Sequence, residues 1–255
     1  MAEHRPRRDV SELPHYGQHF PFLPWTTTTK LRVSWVFARR LRAELGWTRF
    51  IAFWLRLPVA ALPALRTCRA GFSLMHDSFG FLAEMEWILL VVIHRRLEAS
   101  SGKERAYRFA REAIQDCSRF MMNEFYQADR LARFDDPFEA FWSYHTAMFA
   151  DDPNYPNELI DEGDLKVMVV HQCRNCQIAA LTVPELAPLG CDHDITGYRA
   201  IGDKTRMEFR RPVTLAKDGQ PCRFMFYRQG WPSLARVTGV PTSIPGLSSH
   251  VFSRY

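Results

Sequence analysis

The sequence predicts an α+β fold: an N-terminal helical portion packed on a small antiparallel β-sheet formed mainly by the C-terminal third. Three observations predict it. Apolar residues recur at helical spacing through residues 30–150; from Leu165 the pattern changes to short β-branched or alternating runs; and Lys217-Asp218-Gly219 separates the last two runs with a turn. With 255 residues, 47% of them hydrophobic, the chain can bury a substantial core, so one large domain is expected.

Residues 1–29 hold four prolines, three histidines and a TTTT run without an apolar period, and read as an extended arm. Phe20, Phe22, Leu23 and Trp25 are apolar enough to dock that arm on the body or on a second subunit. The single domain then spans 30–255, with 30–150 mainly helical, a strand-helix-strand-strand core over 164–230 and a tail over 231–255. Lys30 to Leu45 fits a helix with Leu31, Trp35, Ala38 and Leu41 on one face, stopped by Gly46. Thr48 to Leu57 forms a second, aromatic-rich helix, which Pro58 and Pro63 interrupt.

Gly80 to Ala99 is apolar nearly all round from Trp87 to Ile93 and so reads as a central buried helix. Lys103 to Arg130 reads as one long amphipathic helix with Tyr107, Ala110, Ile114, Cys117, Met121 and Phe125 in its stripe. Asp135-Asp136-Pro137 caps a further helix, Phe138 to Phe149, whose His145 is a candidate to face a pocket. Asp151 to Asp164, acidic with two prolines, reads as a loop able to close over a site. Strands follow at Leu165 to Val170, Thr205 to Leu215 and Cys222 to Arg228.

The net charge of +5 is concentrated: Lys30 to Arg69 carries nine basic residues against the single acid Glu44. A solvated helix face is the plainer reading of that segment, and contact of 30–69 with a membrane surface or an acidic partner the sharper one. No nucleic-acid motif accompanies the charge, so a nucleic-acid partner is not expected. No run reaches the roughly 18 uninterrupted apolar residues of a membrane span, and the N-terminus lacks a signal-peptide core. A cytoplasmic protein with reduced thiols is the expectation, since six cysteines in 255 residues do not make a disulfide framework.

Chemistry concentrates between His171 and Arg228, which holds four of the six cysteines. A cysteine opens a helix after a short strand, C-x-x-D follows as Cys191 to Asp194, and R-x-x-T-L-A-x-x-G-x-x-C-x-F runs from Arg211 to Phe224. This order resembles the L-2-amino-thiazoline-4-carboxylic acid hydrolase family, strongly over the last third and weakly over the helices before it. The resemblance implies hydrolytic opening of a small cyclic substrate at a carbon–nitrogen bond.

Three readings of these residues stand side by side. In the catalytic one, Cys191 is the nucleophile, His193 or His171 lowers its pKa, Asp194 orients an imidazole or activates water, and Arg211 grips a substrate carboxylate with Thr214 beside it. Cys173, at a helix start, is a further binding or reactive candidate. In the metal reading, Cys173, Cys176, Cys191, His193 and Cys222 surround zinc; the missing second C-x-x-C pair weighs against it, and no cofactor is the expectation. In the structural reading the thiols fill core space, Asp192 and Asp194 cap a turn, and Cys222 alternates inward with Phe224 and Phe226.

The resulting expectation is a hydrolase-like enzyme for a small heterocyclic or polar substrate. The alternatives are a cyclase or isomerase for a larger biosynthetic intermediate, which aromatic residues such as Trp142, Tyr144 and Phe149 facing Cys191 would favour, and a non-catalytic binding module. A homo-oligomer is compatible with each.

Overall fold

The computed structural model describes residues 9–19 and 26–230. Phe20, Phe22, Leu23, Trp25 and the 231–255 tail lie outside the described residues. Helices α1 (Thr27–Thr67), α2 (Arg69–Phe79), α3 (Phe81–Ser101), α4 (Lys103–Phe125), α5 (Ala128–Leu131) and α6 (Pro137–Phe149) come first. Strands β1 (Asn157–Glu162) and β2 (Leu165–Val170) follow, then α7 (Arg174–Ala180), α8 (Pro188–Thr205), β3 (Met207–Arg210), α9 (Leu215–Asp218) and β4 (Cys222–Arg228). The sheet is antiparallel throughout, in the order β1-β2-β4-β3, and the chain is an α+β protein as its pattern predicts.

Helix α1 begins inside the threonine run, because the Thr26 hydroxyl accepts from Thr29 N–H and its own N–H donates to Glu124. Gly46 breaks it with a φ of 72° that favours glycine, as the sequence predicts. The prolines do not: Pro58 and Pro63 both lie within the helix. Each removes one backbone donor, but neighbouring bonds and packing of Phe53 and Ala64 against α2 and α3 carry the helix through. One 18-residue window of α1 reaches a mean hydropathy of 1.3 and is only 11% buried, a property that counting uninterrupted apolar residues misses.

Three more segments differ from their expected form. The long helix ends at Phe125, since Gln127 turns left-handed (φ 51°) before α5. The acidic stretch expected as a covering loop contains β1, an edge strand whose exposed residues Glu158, Asp161 and Glu162 fall on both faces and so break the strand period. The predicted strand from Thr205 shrinks to Met207–Arg210, because α8 runs through Thr205 and Thr214 starts α9 by capping Lys217 N–H. Residues 9–19 pack on α6, where Tyr144 donates to Pro14 O and Tyr16 lies edge-on to Tyr144.

The main core lies between α6, α8 and the sheet, where Phe141, Tyr198, Phe209 and Phe226 interlock. Two features position the site. Gly197 lets α8 lie directly on α4: a β-carbon there would stand 2.2 Å from Met122 Cγ. Asp192, five residues earlier on α8, accepts from Tyr107 of α4, pairs with Arg111 of the same helix and lies 3.4 Å from Lys217 Nζ of α9. The expected turn around Cys191 is thus a helix, begun by Pro188 in its first turn. Asp192 and Asp194 are not turn caps; they project from α8 into different surroundings.

Candidate active site

Cys173, Cys176, Cys191, His193, Asp194, Arg211 and Cys222 line one end of a cavity of ≈ 500 Å³. Five elements supply them. Cys173 is the residue before α7, reached directly from β2, and Cys176 is one turn on. Cys191, His193 and Asp194 come from α8, Arg211 follows β3, and Cys222 opens β4.

Arg211 anchors this end. Its side chain is 4% exposed, its Nη1 donates to Asp194 Oδ2 at 2.5 Å, its Nη2 donates to Cys222 Sγ at 3.2 Å, and its guanidinium lies 4.0 Å above the Phe224 ring. Burial works against its charge, but Asp194 and the adjacent sulfurs outweigh burial and raise its pKa. Its Nε–H is buried without a partner, so an acceptor atom on a ligand would complete it.

The thiols differ sharply. The Cys176 S–H and backbone N–H donate to Cys173 sulfur, and with Arg211 nearby they lower the Cys173 pKa to about 7 despite burial. Cys176 moves the other way, held protonated by that bond and by burial. Burial pushes Cys191 up to about 11, with Arg211 only partly compensating. Of these thiols, Cys173 is the one whose surroundings favour the thiolate.

His193 Nδ1 lies 3.4 Å from Asp194 Oδ1, and both groups line the cavity. His171 and Thr214 do not. His171 pairs with Glu158 at the edge of the sheet, and the buried Thr214 hydroxyl is engaged at the start of α9. His145 also stays off the cavity: it is fully buried, bonded through Nδ1 to Tyr126, and burial lowers its pKa to about 3. Among the described residues, no three ligand atoms of the five zinc candidates lie within 4.8 Å of one another. The group that meets that spacing is His94, Glu98 and Glu185, where Lys103 is already 3.4 Å from Glu185.

Three lining residues escaped sequence reasoning. Tyr198 lies four residues beyond Asp194 on α8, so reading that stretch as a helix would have placed it on the same face. Its hydroxyl bonds to Tyr126, which in turn reaches His145. Asn175 donates to the Tyr155 hydroxyl, and both line the cavity; no local signal marks that pair. Away from this end the lining is mainly apolar, with Phe37, Leu41, Leu90 and Ile93 among it and Ser34 and Glu86 as polar members. Trp142 and Tyr144, which would have favoured the cyclase or isomerase reading by facing Cys191, lie in the core instead.

An α+β chain that gathers thiols, a carboxylate, an imidazole and a guanidinium at the end of an apolar cavity has a site able to receive a small molecule. The sequence model of the L-2-amino-thiazoline-4-carboxylic acid hydrolase family matches residues 83–226, and the chain belongs to that family. No curated protein and no solved structure matches the chain.

Proposed function

We propose that the protein is a hydrolase that breaks a carbon–nitrogen bond in a ligand with a small polar head and an apolar body, with the Cys173 thiolate as nucleophile. The supporting observation is the meeting of a low-pKa thiol, an Asp194–Arg211 pair and His193 at one end of an otherwise apolar cavity. The family supplies the hydrolytic class. The cavity supplies the apolar body, since its lining extends well beyond what a small polar ring would touch.

In this mechanism Cys173 sulfur adds to the carbon of a C=N group, and the π electron pair moves to nitrogen. Nitrogen takes one proton from His193 and a second from solvent, and leaves as an amine while another heteroatom on the carbon supplies its electron pair. Water then attacks that carbon and the Cys173–carbon bond breaks, returning the thiolate. The water protons go to Asp194 and His193, so each turnover consumes one water. Arg211 Nε–H donates to a polar atom of the head group.

Ring closure or rearrangement of a larger intermediate is the second reading, favoured by the apolar volume and by Phe149 in the lining. Incubation with cyclic amidines and thiazolines bearing apolar substituents, in ¹⁸O-water with mass detection, separates the two. Hydrolysis puts one ¹⁸O in the product; cyclisation or rearrangement puts none. Loss of turnover in Cys173→Ser is expected, and turnover unchanged in that variant would overturn the nucleophile assignment.

A further inference from the structure

Helix α1 after Gly46 exposes an apolar stripe that a water-facing helix would not carry. Trp47, Ile51, Leu55, Val59, Leu62 and Leu65 follow in steps of four and three, so they share one face, and Leu55 is 77% and Val59 71% exposed. Phe81, Leu82 and Met85 at the start of α3 are exposed as well. The opposite face of α1, through Phe53, Leu57 and Ala64, packs on the body of the protein. A helix with protein along one side and an apolar opposite side suits the plane of a membrane interface rather than a crossing of it.

Charge identifies the occupant. Glu44 is the only acid between Lys30 and Arg69, and Arg105 holds it. Arg40 is tied to Glu112 and Asp116, whereas Arg49, Arg56 and Arg66 are exposed and have no carboxylate partner among the described residues. Arginines beside an apolar face with tryptophans match an anionic bilayer surface. They oppose a second copy, which would bring the same cations face to face.

The cavity opens on this side. Ser34 and Trp54 of α1 and Glu86 of α3 both line it and are exposed, and Leu31, Trp35, Leu82 and Met85 are exposed on the neighbouring turns. We propose that this face docks in the plane of an anionic phospholipid bilayer and turns the cavity mouth towards the lipid. On the function proposed above, the substrate is then an amphiphile that enters from the membrane, apolar body in the mouth and polar head at Cys173. The docking itself does not depend on that chemistry.

Sedimentation of the full chain with phosphatidylcholine vesicles, with and without phosphatidylserine, tests the docking without reference to turnover. Binding is expected to the phosphatidylserine vesicles, to weaken with salt, and to fall about fivefold for each of Arg49→Gln and Arg56→Gln. Leu55→Glu with Leu62→Glu is expected to abolish it, while circular dichroism and the melting temperature stay those of the parent chain. Absence of binding by the folded parent chain, or binding that survives the double glutamate variant, overturns the proposal. A dimer in solution that this variant splits, without vesicle binding, also overturns it and assigns the face to self-association.

Discussion

The region matched by the family, residues 83–226, and the long helix α1 before it treat charge and apolar surface in opposite ways. In the matched region several charges are enclosed and paired: Arg211, 4% exposed, with Asp194; Asp192, 5% exposed, with Arg111 and Lys217; and Lys166, 2% exposed, with Glu139 and Asp161. In α1 both arginines and large apolar residues face outward. Enclosed charges hold a fixed geometry because each depends on its partner. An exposed apolar and cationic face has no such partner among the described residues, so contact with another surface would be favourable.

The largest expected electrostatic effect sets an ion pair within the matched region against one that joins α1 to it. Arg211→Ala strips a 26%-exposed Asp194 of its guanidinium inside the cavity and removes the stack on Phe224, for a loss of about 3 kcal/mol. Arg40→Ala in α1 breaks contacts to Glu112 and Asp116 that water already screens, for a loss below about 1 kcal/mol. Urea denaturation of both variants measures the difference. Equal losses would end the distinction drawn between the regions.

Next comes packing at the α4–α8 contact. Gly197→Ala places a methyl group against Met122 and the Ser118 hydroxyl, which donates to His193 O at 2.5 Å. Overpacking there is expected to cost about 1–3 kcal/mol and to disturb His193 and Asp194 on the same helix. A melting curve together with thiol-labelling rates detects both effects. An unchanged melt would mean that α8 can slide on α4 and that the site geometry is softer than its pairing suggests.

The Cys173 thiolate sharpens the comparison through pH. Labelling of Cys173 with iodoacetamide, located by mass spectrometry, is expected to reach half its plateau near pH 7, about 1.5 units below an ordinary thiol. Cys176→Ala removes the S–H donor, so the midpoint moves up; Cys191→Ser leaves it in place. The folded pKa lies below the unfolded one, so the stability this thiolate contributes is complete above about pH 8.5. It is lost as pH falls through 7. A midpoint at the ordinary thiol value in the parent chain would remove Cys173 as nucleophile.

The sequence makes the enclosed region legible wherever local chemistry decides the outcome. Asp136 before Pro137, the β-branched run of β2, the alternation of Cys222 with Phe224 and Phe226, and Cys173 ahead of α7 all follow from neighbours in the chain. The α8 stretch was obscured because Gly190, Asp192 and Asp194 carry turn chemistry locally, while contacts with Tyr107, Arg111 and Arg211 stabilise the helix from afar. The choice between Cys173 and Cys191 was equally hidden. The lower pKa of Cys173 rests on the hydrogen bonds from Cys176, which the C-x-x-C spacing offers only once a helix begins at Arg174, and on Arg211 brought in from beyond β3. In α1 the composition announced charge, and only the fold revealed which apolar side chains remain outside.

The smallest expected effect tests that last point. Leu55 is already 77% exposed, so Leu55→Ser removes little buried area and is expected to shift stability by less than about 0.5 kcal/mol in solution. Phe53→Ala, two residues away and 4% exposed, opens a cavity and is expected to cost about 3–5 kcal/mol. The pair uses one helix as its own control, since propensity changes little between neighbouring positions. If Leu55→Ser instead costs more than about 1 kcal/mol, something in the chain itself covers the outer face in solution. The apolar stripe would then belong to the core, and the contrast between the two regions would reduce to one of charge alone.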